Sequence, residues 1–154
     1  MSNPIHEKIL AALDTHGCAY ETQHHEPTPT SQDAARVRGV ELHAGAKALV
    51  VRGDKTKTYF LFVIPADLKL DGTAVRSLIG ERVSFAQDPE SVTGCVPGSV
   101  PPFGSILGLQ TYVDSRLAEN KIIHFNAGSL TDSVSMSYTA YLEIEKPHIA
   151  TLAK

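Results

Sequence analysis

The run GAKALVV, residues 45–51, places one ammonium group inside an otherwise apolar strand pattern. Alternation sends Ala46, Ala48 and Val50 to one face and Lys47, Leu49 and Val51 to the other. A buried, unpaired charge costs free energy to desolvate. Two readings meet that cost. The stem packs at a strand end while the ammonium reaches water, or the strand opens on a cleft where a fixed cation holds a phosphate, a carboxylate or a developing oxyanion. The spacing alone leaves both open.

Two further stretches have the composition of a binding surface. In GSVPPFG, residues 98–104, Pro101 and Pro102 lock φ and donate no N–H, while Gly98 and Gly104 let backbone approach a ligand closely. Such a loop is a preorganised wall, or simply an awkward crossover. In FNAGSLTDSVSM, residues 125–136, a turn centred on Gly128 is followed by Ser129, Thr131, Asp132, Ser133 and Ser135. Amides after Gly128 would form an anion nest, although ordinary turn capping also uses these residue types. No GxSxG, HExxH or GxxxxGK pattern occurs. His24 and His25 are adjacent and lack a third ligand at usable spacing, so no metal site is expected. The tripeptide RGD at 52–54 reads as hairpin-turn chemistry, with Gly53 supplying a positive φ.

These residues sit in a chain of 154, long enough for one domain with a real core. With 42% hydrophobic and 20% charged residues the composition is that of a soluble globular protein. The longest apolar run, YFLFVI at 59–64, is too short to span a bilayer, and the first residues show no secretory pattern. Cys18 and Cys95 stand apart, as reduced thiols in a cytoplasmic protein would. No membrane partner is expected. The net charge of −3 argues against a general DNA or RNA binder. Residues 36–57, however, hold six basic and two acidic side chains, a local +4 that leaves −7 on the rest. That segment suits a local polyanion contact, and a solvated helix end and hairpin equally well.

The expected elements position the three stretches. Asn3-Pro4 opens a helix that Gly17 closes. CAYET is a short strand, residues 24–31 are a loop, and Thr30 with Asp33 opens a helix ending near Gly39. AKALVVR and KTYFLFVI form a hairpin. A helix over 73–79, a strand over 82–85 and a helix after Asp88-Pro89 follow. Beyond the loop at 94–104 come strands near 110–113, 121–125 and 133–136, then a helix over 138–145. The fold class is α/β (α+β), a single domain with a mixed, mostly antiparallel sheet and helices packed around it.

In order and spacing, YETQHHEPTPTSQDAARVRGV, GAKALVV, TGCVPGSVPPFG and FNAGSLTDSVSM resemble the YbaK/ProX family, relatives of the editing domain inserted in bacterial prolyl-tRNA synthetases. The resemblance covers residues 5–150 and implies one aminoacyl-tRNA deacylase domain over 1–154. It implies hydrolysis of the ester that joins a wrong amino acid to the tRNA 3′ end. Lys47 would be the signature residue, Gly98 to Pro102 the GxxxP loop, and Ala127-Gly128 the late glycine turn. A substrate ribose hydroxyl would orient or activate water. Lys47 would fix the substrate, and amides near Gly98 and Gly128 would steady the oxyanion.

The resemblance implies no metal or organic cofactor. Tyr20, His25, Thr28, Thr30 and Ser133 are candidate pocket walls, with Pro102, Ser129 and Asp132 also at the substrate. The motifs are most similar to the YeaK-like branch, which acts on seryl- and threonyl-tRNA. The alanine-specific branch has Asn where Ala48 follows Lys47. The alternatives are the same reaction on Ala-, Cys- or Pro-tRNA, a silent tRNA-end binding module, or a domain that needs a synthetase to hold tRNA.

Overall fold

Pro4 at the first turn and Ile9 and Leu13 at helical spacing make α1 (Pro4–His16), which buries those two side chains completely. The computed structural model describes residues 4–27, 35–36, 39 and 41–154. Asn3, Thr28, Thr30 and Asp33, with most of the helix expected to end near Gly39, lie outside the described residues. Gly39 donates its N–H to Ala35 O at 2.9 Å. The first strand, β1 (Tyr20–His24), begins two residues later than expected and takes in His24.

The two apolar runs form the expected hairpin. β2 (Ala46–Gly53) pairs antiparallel with β3 (Tyr59–Pro65), Lys47 opposite Ile64. β3 is buried from Phe60 to Pro65 on both faces, as a central strand must be. The turn corrects one expectation. Gly53 does not supply the positive φ; Lys57 does, at 64°. A Cβ at Gly53 would stand 2.6 Å from Glu81 Oε1, so any larger residue there would displace that carboxylate. That carboxylate accepts hydrogen bonds from the Lys55 and Thr56 amides and so organises the turn.

Asp71 caps α2 (Gly72–Ile79), which leads to β4 (Val83–Phe85) and α3 (Pro89–Thr93). A short helix not expected from sequence, α4 (Gly104–Leu107), closes the Gly-Pro loop. β5 (Gln110–Asp114), β6 (Ile122–Asn126), β7 (Asp132–Ser137) and α5 (Tyr138–Glu145) follow. An eighth strand, β8 (His148–Ala150), was also unexpected; it pairs parallel with β5.

The strands divide between two sheets rather than forming one. β1-β7-β6 is antiparallel, and β4-β2-β3-β5-β8 is mixed. Between the sheets lies the larger core: Val50, Leu61 and Val63 face Phe125, Val134 and Met136, with Ile9, Leu13 and Tyr141 from the helices. The outer face of the mixed sheet buries Val51, Phe60, Phe62 and Ile64 under Val75 and Leu152. Both faces of β2 are thus apolar, as the alternation requires.

Candidate active site

β2 and β6 touch at a single parallel bridge, Gly45 to His124, and then separate into their own sheets. Because both run the same way from that bridge, Ala48 stands level with Ala127. β4 covers the same edge of β2 only from Val51 to Gly53, with Ala86 N reaching Val50 O at 3.0 Å. Gly45 O accepts from Ala66 N, and Gly53 N donates to Thr58 O, both on the β3 side. Alternation therefore turns Ala48 N–H and C=O away from β3, into the gap left between β4 and β6. No described residue pairs with Ala48 there. The result is a notch with an open strand edge as one wall.

The opposite walls are the two glycine stretches, which the structure ties together. Asn126 Nδ2 donates to Gly98 O at 2.7 Å, and Gly128 N donates to Ser99 O at 3.0 Å. The loop is anchored from behind: Tyr141 Oη donates to Pro102 O at 2.6 Å, and Phe103 packs edge-on against Phe125 and Tyr141. Pro102 is buried, so it supports the wall without lining it. Gly98 and Gly128 both adopt left-handed backbone, φ 86° and 84°. Gly128 also sits against α1, where an added Cβ would lie 3.0 Å from Ile5 Cγ2. Its amide is spent on Ser99 O and is not free for the oxyanion role expected of it. The Gly98 and Ser129 amides have no partner among the described residues.

The hydroxyl cluster after Gly128 is assembled as expected, but its members are engaged. Ser129 and Thr131 hydroxyls are 2.8 Å apart and half-buried. His25 Nδ1 donates to Glu26 O at 2.7 Å, which leaves Nε2 to accept from Ser133 Oγ at 2.7 Å. Ser133 is 2% exposed. It braces the wall and does not line it. Asp132 is turned to His24 Nδ1 at 2.9 Å and Thr131 Oγ1 at 3.2 Å. Burial alone would raise its carboxyl; bonds from His24, Ser129 and Thr131, with His6 nearby, bring it below its ordinary value.

Two expected residues stand apart. Tyr20 lies at the other end of β1, opposite Met136, four pairs or about 13 Å from His24, and its hydroxyl donates to Asp14. The Lys47 side chain leaves β2 on the outer face, away from the glycine walls. Its ammonium donates to Leu68 O at 3.3 Å. Burial pushes its pKa down, Lys69 adds to that, and Asp67 opposes it. Lys47 and Ala48 therefore straddle the lip of the notch, one on each face. Thr28 and Thr30 lie outside the described residues.

Asn126 and Ala48 were not expected. Asn126 is the polar residue that ends the alternating strand IIHFN, which was a usable signal. Ala48 contributes backbone, and its residue type says nothing. Among the described residues, no three His, Cys, Asp or Glu side chains gather where a metal could be held, and no helix is long and apolar enough to cross a membrane.

The family model described as the aminoacyl-tRNA editing domain matches residues 25–144. The chain is 34% identical over 155 residues to proteins of Escherichia coli K12 and O157:H7, each named multifunctional Ser/Thr-tRNA deacylase ProXp-y. That match spans 97% of this chain and 93% of each relative. Two crystal structures share the fold at 24% identity. One is described as a candidate trans-editing enzyme for prolyl tRNA synthetase (TM-score 0.85, 100% of this chain and 99% of that one). The other is a hypothetical protein, APE2540 (TM-score 0.86, 96% and 99%). The family-model match over residues 25–144 and 34% identity along nearly the whole chain show that this protein belongs to the aminoacyl-tRNA editing domain family.

Proposed function

We propose that this chain is a trans-editing hydrolase that removes serine or threonine from mischarged tRNA. The observation that carries the reading is the 34% identity to Ser/Thr-tRNA deacylases across nearly the whole of both chains. The geometry supports it. An aminoacyl ester is reactive enough to need no protein nucleophile, only a fixed carbonyl, a placed water and donors for the tetrahedral oxyanion. The free Ala48 edge offers one N–H and one C=O to the aminoacyl group. The Gly98 and Ser129 amides, without a partner among the described residues, would serve as oxyanion donors. A ribose hydroxyl of the substrate orients the water, and Lys47 at the lip holds the nucleotide end. The half-buried Ser129 and Thr131 hydroxyls give a wall that recognises a hydroxyl side chain.

The substrate partner is the 3′ end of aminoacyl-tRNA in the cytoplasm. A synthetase assists if the local +4 is too weak to hold tRNA alone; that case shows as deacylation whose salt dependence is relieved by adding the synthetase. The experiment is deacylation of tRNAs charged with labelled Ser, Thr, Ala, Cys and Pro, with Lys47→Ala alongside. Ser and Thr release by the wild type alone is the expected outcome. Release of none of the five amino acids overturns the reading in favour of a silent binding module.

A further inference from the structure

A cleft of about 360 Å³ opens on the outer face of β2, on the far side of the strand from the glycine walls. Its walls are apolar, Leu49, Val51, Val83 and Phe85 among them, and Phe85 is 63% exposed at the rim. Two cations, Lys47 and Lys69, also line it, and none of its lining residues is acidic. The ammonium groups are close enough for Lys69 to disfavour the charge on Lys47. Asp67, which favours that charge, is already committed: His43 Nδ1 holds its two oxygens at 2.8 and 3.0 Å. The Lys69 ammonium has no partner among the described residues. Two like charges facing an apolar slot that no acidic residue lines fit a ligand that brings an anion and a flat apolar body together.

We infer that this cleft is a nucleotide subsite, seating the base of an unpaired nucleotide at the tRNA 3′ end against Phe85 and Leu49, with the adjoining phosphate between Lys47 and Lys69. This rests on the reading as a tRNA deacylase. Continuity with the notch selects the occupant. A ribose esterified in the notch sits beside Ala48, so the chain leaving it crosses the lip at Lys47. β4 joins β2 from Val51, three residues or about 10 Å further along, which puts Phe85 within reach of the adjacent nucleotides. A cation groove with an aromatic platform is how single-stranded nucleic acid is held without sequence readout.

The test uses the full chain with Lys69→Glu and Phe85→Ala, both at exposed positions, and Lys8→Gln on α1 as control. Each cleft variant raises KM for seryl-tRNA about tenfold, within what one base–aromatic stack contributes, and changes kcat less than twofold. AMP, followed by NMR titration, binds the wild type with shifts at β2 and β4 and binds both variants about tenfold more weakly. If the wild type hydrolyses its ester but the variants match it in KM and in AMP binding, the subsite falls and the deacylase stands. If the wild type hydrolyses nothing yet AMP binds and the variants lose it, the subsite stands and the reaction falls. Displacement of AMP by a fatty acid that binds more tightly would assign the cleft to a lipid and overturn the inference.

Discussion

Replacing Lys47 by Met separates a structural lysine from a working one. Met keeps an unbranched stem of similar length against Leu49 and Leu70, so little packing is lost. What goes is one hydrogen bond from the ammonium to Leu68 O, 3.3 Å long. A charged hydrogen bond contributes roughly 1.5–3 kcal/mol when well formed, and a long, partly exposed one about 1 kcal/mol. Against that, burial and Lys69 both oppose the charge, and Met removes both penalties. The two contributions nearly cancel. The variant should lie within about 1 kcal/mol of wild type, or about 2–4 °C in Tm for a chain of this size. The kcat/KM for seryl-tRNA should fall by about 10–10², the loss of one charged hydrogen bond to the substrate. Thermal unfolding by circular dichroism and label release under the same buffer give the two numbers. Wild-type turnover in the variant would refute the role of the ammonium. A Tm drop of 10 °C or more, with activity lost in proportion, would show that the lysine serves the fold.

Two further predictions test the frame around the notch. Gly128→Ala forces an L side chain into φ 84° and drives a Cβ to 3.0 Å from Ile5 Cγ2, so urea unfolding should show a loss of about 1–3 kcal/mol; no change would mean that α1 gives way freely. His43 bridges Asp67 and Glu119, and the bond to Asp67 is the main cause of its raised pKa, with burial opposing. A folded pKa above the unfolded value means that its stabilisation is complete below about pH 6.5 and fades as pH rises through the folded value. Unfolding free energy measured from pH 6 to 9 should fall more steeply in wild type than in His43→Ala, and parallel curves would remove His43 as the cause.

The sequence made the fold legible where pattern and packing agree. The period-2 run in AKALVVR and the doubly apolar YFLFVI could be little other than neighbouring central strands. Capped helices such as Asp71–Ile79 announce themselves by residue type. Features set by tertiary contact were hidden. β8 is three residues, two of them exposed, and owes its extended form to pairing with β5. α4 is a single turn, fixed by Gly104 N on Thr111 Oγ1 and by Ser105 on the buried Glu145. The split into two sheets depends on where β6 leaves β2, a long-range event with no local signature. The site divides in the same way. Glycines, prolines and a misplaced lysine stand out by type, but the notch itself is bare backbone at Ala48.

Ser133 and His25 are the pair that a hydrolase of another kind would use, and the geometry argues against that use here. The hydroxyl lies 2.7 Å from Nε2, and Nδ1–H is fixed by Glu26 O, which gives the imidazole the right tautomer for a base. Two things are missing. The third group is a neutral carbonyl, which does not stabilise an imidazolium as a buried carboxylate does. The serine is also 2% exposed, within β7 and beneath the wall, where no ester carbonyl can meet it at bonding distance. What the pair does accomplish is mechanical. It pins the segment that leaves β1 onto β7 at Ser133, directly opposite Asn126 in the antiparallel register, and the Asn126 amide in turn ties the loop to the late glycine turn through Gly98 O. A rigid, hydroxyl-bearing wall discriminates by leaving its own polar groups unpaired against the wrong substrate, a penalty that deforming walls would relieve. Under the proposed reaction, selectivity would therefore reside in the bracing of the notch, and the nucleophile would come from solvent.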